Sequence, residues 1–440
     1  CTASNQIGFQ HFLGESERFK WNNFGKLTSV SNELFWNYNS ALDVSSVRYK
    51  SEYTLYQESD YLENLFKTNQ VEQKLDANGN SILIQRVNGN HQVNKYDKNK
   101  LIKSKLIDNN QELIDTYKYR SHKLTQINTP FSLKKYSYDR YNRISEEKTL
   151  LNDRESNLHF NYEDNLLKGI NPYISNITYD ELDRIDEITF KSFHKIKINY
   201  DIFNNLKSFS IKNDNKILFS SMFTSNNIGK LKREKVYQPR EIKSNKTYHY
   251  NEYNNLDVKA PSQARRNQLG QAFEANSYKL THNDEKLVQA QTGRNTFNFL
   301  YDHNGLKAGY KNAKSLAQAN EYFYFLGENE LYVNGKHLRL IKINNIPLAL
   351  IFDNKLYQVI INHKFEVVGL IDSETDELVF YRQFDSFGSK KVYFGNDTQS
   401  NRELERYTVW SFGRLIQNPL DNTDELYFSK SRAYSTSLKE

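Results

Sequence analysis

The sequence predicts an all-β fold, an antiparallel sheet of repeated β-hairpins. Three observations predict it. A tyrosine–aspartate motif recurs about every 21 residues, enough for two strands of roughly six residues and two turns. Apolar residues are few at 38% while aromatics reach 14%, with 31 Tyr and 27 Phe. Such chains bury rings in thin, half-wetted sheets more readily than they build a dry helical core. Proline and glycine number only 6 and 17, which excludes collagen-like, mucin-like and Gly-Pro linker architectures.

The motif comes first because a repeat decides the reading of a long chain. Its clearest copies start at Tyr96-Asp97, Tyr138-Asp139, Tyr179-Asp180, Tyr200-Asp201, Tyr250-Asn251 and Tyr301-Asp302. Weaker copies start at Leu75-Asp76, Tyr119-Arg120, Tyr162-Glu163, Phe223-Thr224 and Thr281-His282. Tyr is expected to end a strand and pack its ring on the sheet, mostly buried. Asp is expected to open the turn, its carboxylate accepting backbone N–H groups two residues on. An Asn or Gly about three residues after Asp, such as Asn142, Asn204 or Gly305, supplies a left-handed backbone. The Leu or Ile that follows starts the return strand. None of these roles is catalytic.

At this point the chain resembles the RHS or YD-repeat family, which includes toxin shells and teneurins. The C-terminal part adds to the likeness. Tyr322–Gly327 resembles the aromatic-Gly strand after the last repeats, Pro347–Ile351 the next strand, and Phe384-Asp385-Ser386-Phe387-Gly388 a Tyr-Asp-x-Phe-Gly element. Trp410–Arg414, Thr423–Phe428 and Arg432-Ala433-Tyr434 resemble the closing motifs. The resemblance implies a spiralling shell of hairpins curled around an interior, open or partly closed in a chain with so few repeats. The family's Asp-Pro-x-Gly self-cleavage segment has no counterpart here. The segment Asn362–Asp372 keeps little of the family's Asp-His-x-Gly-Ser element. Self-cleavage and toxin encapsulation in cis are therefore not expected.

The net charge is +7 with signs interspersed. This fits either a mild preference for anionic surfaces or an ordinary solvated surface. It is not the basic stripe of a nucleic-acid reader, so no nucleic-acid partner is expected. The single cysteine, Cys1, excludes an internal disulfide and a Cys-rich metal site. Followed by Thr2, Ala3 and Ser4, it resembles the first residue of a mature bacterial lipoprotein. That likeness implies acylation of Cys1 and, with Thr2 rather than Asp next to it, an outer-membrane address. An arbitrary chain start is the alternative.

No paired-His zinc spacing, nucleophile elbow or Gly-rich phosphate loop occurs, so no catalytic residue, metal or cofactor is expected. The carboxylates Asp372, Glu374, Asp376 and Glu377 fit a solvated turn better than a catalytic pair. The rings of Tyr322, Phe323, Tyr324 and Phe325 fit core packing better than sugar stacking. Residues 259–276 differ in composition and read as a short helix or an insertion. The expected organisation is residues 1–50 as a tether with an aromatic plug or first strands, 51–310 as the repeat array, and 311–440 as the closing region. A plug would bury Trp21 and Trp36. The expected role is a lipid-anchored envelope protein that binds or cups an unknown partner. The alternative is an auxiliary member of a toxin system holding a separately encoded effector in trans.

Overall fold

The computed structural model describes residues 9–12, 15–22, 24, 26–30, 34–38, 44–49, 53–60, 65–68, 71–86, 91–108, 111–151, 154–226, 230–237, 243–247, 265–266, 272–275, 278–283, 286–293, 295–301, 307–312, 318–384, 390–410, 416–420, 426–428 and 433–435. These residues are almost all β, with one α-helix among them, Gln399–Tyr407. The antiparallel hairpin array expected from the repeats is the architecture found. Contacts divide the chain into two compact units. One joins Cys1–Ile114 to Ala264–Arg294; the other joins Asp115–Gln263 to Asn295–Glu440.

In the first unit, the strands from Phe9–Phe12 through Lys100–Asp108 each pair antiparallel with the next in sequence, as do those from Arg265–Arg266 through Lys286–Thr292. Residues 9–38, for which the sequence leaves a plug and first strands open, form the strands Phe9–Phe12, Glu15–Trp21, Leu27–Val30 and Leu34–Tyr38. The side chains of Trp21 and Trp36 lie outside the described residues. So do Cys1, Asp302 and Gly305. Within 259–276 the described parts are two short strands, Arg265–Arg266 and Ala272–Ala275.

The second unit holds two large sheets packed face to face and a small three-stranded one. Strands of the first alternate cleanly. Along His194–Tyr200, His194, Ile196 and Ile198 are buried while Lys195 and Asn199 are exposed. A period of two buries one face and wets the other. The central strands of the second sheet, Ile346–Phe352, Lys355–Ile361 and Val367–Asp372, are buried on both faces, and their sequences are correspondingly rich in unbroken apolar residues. Tyr381 shows which face looks where. Its ring lies 5.7 Å from Phe219 of the first sheet. Its neighbour Arg382 therefore points the opposite way, to the helix, where its Nε donates to Glu405. The helix and the segment through Leu420 cover part of that outer face with Leu404, Tyr407, Val409 and Trp410, all buried. Thr398 caps the helix by accepting the Asn401 N–H at 3.1 Å.

Aromatic residues fill the interior between the sheets. Phe131 meets Tyr324 at 4.9 Å and Tyr332 at 5.5 Å between ring centroids. Phe323, Tyr324 and Phe325 are all buried, and Tyr324 donates its hydroxyl to the buried Asp115 at 3.1 Å. Gly309 pairs across strands with Phe323, and a Cβ there would lie 2.5 Å from that ring. The glycine thus gives the ring its seat.

Candidate functional site: the turn ladder and the ion pairs of the sheet interior

Each repeat motif forms one cross-strand unit. Tyr138 pairs with Ile144, Tyr179 with Ile185 and Tyr200 with Leu206. The motif's Tyr and its Leu or Ile are therefore direct partners in the ladder. A register shift falls immediately before each of these tyrosines. Such a bulge bends the strand and increases its twist.

Asp opens the turn in these copies. Asp180 Oδ1 accepts the backbone N–H of Leu182 at 3.0 Å and of Arg184 at 3.0 Å. Asp139 does the same for Tyr141 and Arg143, and Asp201 for Phe203 and Asn205. The third residue after each Asp is left-handed: Asn142 at φ 69°, Asp183 at 56° and Asn204 at 64°. Asp76-to-Asn80 and Asn362-to-Glu366 repeat the geometry. The carboxyl of Asp180 is held below the usual range, chiefly by the Arg184 side chain and then by backbone N–H groups.

The turn at Asp97 differs. Tyr96 pairs with Leu101 five positions on, Asp97 pairs with Lys100, and Lys98 and Asn99 are both left-handed. This is a two-residue hairpin turn in which Asp97 is the last ladder residue rather than the turn opener. Tyr119 and Tyr162 precede the same short turn. The tyrosines also differ from expectation. Tyr96, Tyr138, Tyr179 and Tyr200 are half-buried, and only Tyr301 of the five is buried. The Tyr138 and Tyr179 hydroxyls reach back to the backbone of a neighbouring hairpin.

That reach makes a ladder. Tyr138 donates to the Leu124 carbonyl at 2.7 Å, Tyr162 to Ile144 at 3.1 Å and Tyr179 to Leu167 at 2.7 Å. The arginine after the left-handed residue provides a second link. Arg184 binds Asp180 of its own turn through Nε at 2.7 Å and donates Nη1 to Asn204 of the next at 2.9 Å. Its guanidinium also lies 4.4 Å from the Tyr200 ring centroid. Arg143 repeats this arrangement with Asp139, Asn165 and Tyr162. Sequence reading missed this role. The signal was a basic residue at the fourth position after Asp in two successive copies.

Between the sheets of the second unit lies a buried ion cluster. Lys134 pairs with Glu330, while Arg339 meets Glu330 at 3.2 Å and Glu147 at 2.9 Å. Burial alone would raise the Glu330 carboxyl. Lys134, Arg339 and His337 outweigh it and hold the group down to about 2. Asp376 corrects the reading of residues 372–377 as merely solvated. It accepts from His194 Nε2 at 2.8 Å and from Asn213 at 2.9 Å, and pairs with Lys216 at 3.4 Å, tying the two sheets together. Among the described residues no three His, Cys, Asp or Glu side chains gather as a metal site, and no helix is long and apolar enough to cross a membrane.

His363 carries a pH dependence. It sits beside the Phe223 ring at 5.9 Å, and burial, with a smaller push from Lys364, lowers it to about 4. A histidine depressed from its unfolded value near 6.5 stays neutral in the fold while the unfolded chain takes up a proton. Its contribution is therefore fully present above about pH 6.5 and is lost as pH falls toward 4. The loss is about 3 kcal/mol. Chemical unfolding of wild type and His363→Gln at pH 7 and pH 4.5 reads this directly. The variant is expected to lose less stability between the two; equal losses would exclude His363 as the cause.

A cavity of about 520 Å³ opens at the ladder's edge, lined by Asp183, Arg184, Tyr200, Asn204, Pro347 and Trp410 among others. Here the tyrosine link is interrupted: the Tyr200 hydroxyl has no hydrogen-bond partner.

No family model matches the sequence, and no curated protein matches it. Solved structures do. A crystal structure of TcdB2-TccC3 aligns over 98% of this chain and 30% of the other, with 9% identity and a TM-score of 0.62. One of TcdB2-TccC3-Cdc42 aligns over 96% and 28%, with 9% identity and a TM-score of 0.61. A Photorhabdus luminescens Tc holotoxin pore carrying mutant TccC3 aligns over 96% and 28%, with 11% identity and a TM-score of 0.58. The chain thus spans less than a third of these structures' chains. At such identities the likeness establishes the fold.

Proposed function

We propose that this chain is a non-catalytic docking scaffold of the cell envelope, anchored through an acylated Cys1 and presenting its hairpin array to a partner protein. The observation that carries this reading is the fold likeness over nearly the whole chain to TcdB2-TccC3 structures, which are assemblies. The motif side chains support it: Tyr, Asp and Arg of the repeats are engaged in building turns and linking hairpins. The reading assigns no catalytic residue and no cofactor.

The same likeness favours a second reading, an auxiliary member of a toxin system that holds a separate effector. Side chains fill the space between the sheets of the second unit. An effector held by this unit therefore lies on its surface rather than inside it.

The test is to cross-link cells that produce the tagged full chain, purify it from membrane and soluble fractions, and analyse both by mass spectrometry. The expected result is a lipid-modified N-terminal peptide in the membrane fraction and one protein retained in near-stoichiometric amount. An unmodified Cys1 in the soluble fraction would remove the anchoring. Retention of no protein would remove the docking role. A small toxic protein as the retained partner would favour the second reading.

A further inference from the structure

We infer that the turn tips between Glu163 and Phe203 form a docking ridge for a cationic, apolar segment of a partner protein, a placement that rests on the scaffold reading above. Alternate turns of an antiparallel meander lie at the same end of the sheet. The turns at Asp164-Asn165, at 180–184 and at 201–205 therefore stand in a row, about 10 Å apart at two strand spacings. The Arg184–Asn204 hydrogen bond joins the second and third at 2.9 Å.

The turn design leaves the second residue after Asp pointing outward. In the second and third turns of this row those outward positions carry apolar side chains. Leu182 is 69% exposed and Phe203 46%, and Ile202 beside it is 93% exposed. A hairpin tip needs no apolar residue for its own stability, since the turn is closed by the Asp carboxylate and the left-handed residue. Large exposed apolar groups in a contiguous row mark a contact surface.

Charge names the partner's chemistry. Glu163, Asp164, Glu181 and Asp183 are all exposed along the same tips. Arg184 is engaged with Asp180 at 2.6 Å and Lys168 with Glu163 at 3.4 Å, and the exposed Lys207 and Lys364 are outnumbered by the carboxylates of the tips. The ridge is thus apolar with an acidic border, on a chain whose net charge is +7. A complementary segment carries Lys or Arg beside aliphatic or aromatic residues. The cavity adjoins this row and shares Asp183 and Asn204 with it, and its walls include Ile346, Pro347 and Trp410. It offers a seat for one apolar anchor of the segment, the arrangement in which few buried side chains carry most of the binding.

The probe is a fluorescein-labelled peptide of alternating Lys and Leu, with Lys–Ser and Glu–Leu peptides as controls, read by anisotropy with the full chain. The expected result is saturable binding of the Lys–Leu peptide alone. It should weaken more than tenfold in Leu182→Ser/Ile202→Ser/Phe203→Ser and again in Glu163→Lys/Glu181→Lys, with melting unchanged in both variants. Equal binding by the variants, or equal binding of the Lys–Ser peptide, would overturn the ridge. Repeating the cellular cross-linking with the apolar triple variant separates the two claims. Loss of the wild-type partner supports the ridge. A partner retained by both proteins overturns the ridge and leaves the scaffold reading standing. A partner retained by neither overturns the scaffold reading and, with it, the ridge.

Discussion

Replacing Glu330 by alanine should destabilise the protein by about 3–5 kcal/mol, the range for removing one partner from a buried ion pair. The side chains of Lys134 and Arg339 are 8% and 9% exposed, and Glu330 is 4%. After the change, two cations face one carboxylate, Glu147, without water to solvate them. The wild-type contribution has a defined pH window. Because the folded carboxyl is held near 2, it is present above the unfolded value near 4.5 and is lost as pH falls toward 2. A second variant separates charge from packing. Replacing Lys134, Glu147, Glu330 and Arg339 together by Met should recover most of the loss, since apolar groups of similar volume substitute for buried ions at little cost. Urea unfolding of both variants measures this. A mild Glu330→Ala effect, below about 1 kcal/mol, would mean that water reaches the cluster.

Arg382→Ala should have an effect of similar size, again about 3–5 kcal/mol, but localised. The Arg382 side chain is fully buried. Its Nε donates to Glu405 at 2.7 Å, its Nη1 to the Thr408 carbonyl at 2.8 Å, and its Nη2 to the Glu405 carbonyl. One guanidinium thus holds both the helix and the strand of chain leaving it. Lys390 still neutralises Glu405 at 2.6 Å, but both carbonyls lose the guanidinium, and the Glu405 carbonyl keeps only the Thr408 N–H at 3.2 Å. The helix is expected to undock, and limited trypsin digestion should then cut at Arg402 or Arg406. Arg382→Lys should not rescue, because a point charge cannot serve three acceptors in one plane. Rescue by lysine, or a digestion pattern like the parent's, would show that the helix is held by its apolar face alone.

The fold was legible in the sequence because its signals are local. Tyr138, Asp139, Asn142 and Ile144 lie within one turn, and each residue type has a single mechanical use there. Even the departure at Asp97 was written in the spacing, since Tyr96 stands five residues from Leu101 while Tyr138 stands six from Ile144. What could not be read was pairing at long range. Lys134 with Glu330, His194 with Asp376 and Arg382 with Glu405 join residues whose proximity depends on two sheets facing each other. No periodicity encodes that. Asp376 therefore looked like one carboxylate of a wet turn. The helix Gln399–Tyr407 was missed although Thr398 is a favoured cap, because the β pattern on either side dominates. The half-buried tyrosines follow from the same gap. A ring at a hairpin end reaches the neighbouring turn rather than the core, and the neighbour is not visible in a single copy of the motif.

The central structural claim is that the repeat turns are coupled, so that a scaffold built from them acts as one surface. Native-state hydrogen exchange tests it most directly, by following the Arg184 and Asn205 amides, which donate to Asp180 and Asp201. In Asp180→Ala, Arg184 loses its anchor and with it the link to Asn204 and the Tyr200 ring. The coupled ladder predicts that both amides lose protection, Asn205 by roughly tenfold although its own turn is untouched. If Arg184 loses protection while Asn205 keeps its wild-type rate, the turns are independent and the ladder is contradicted.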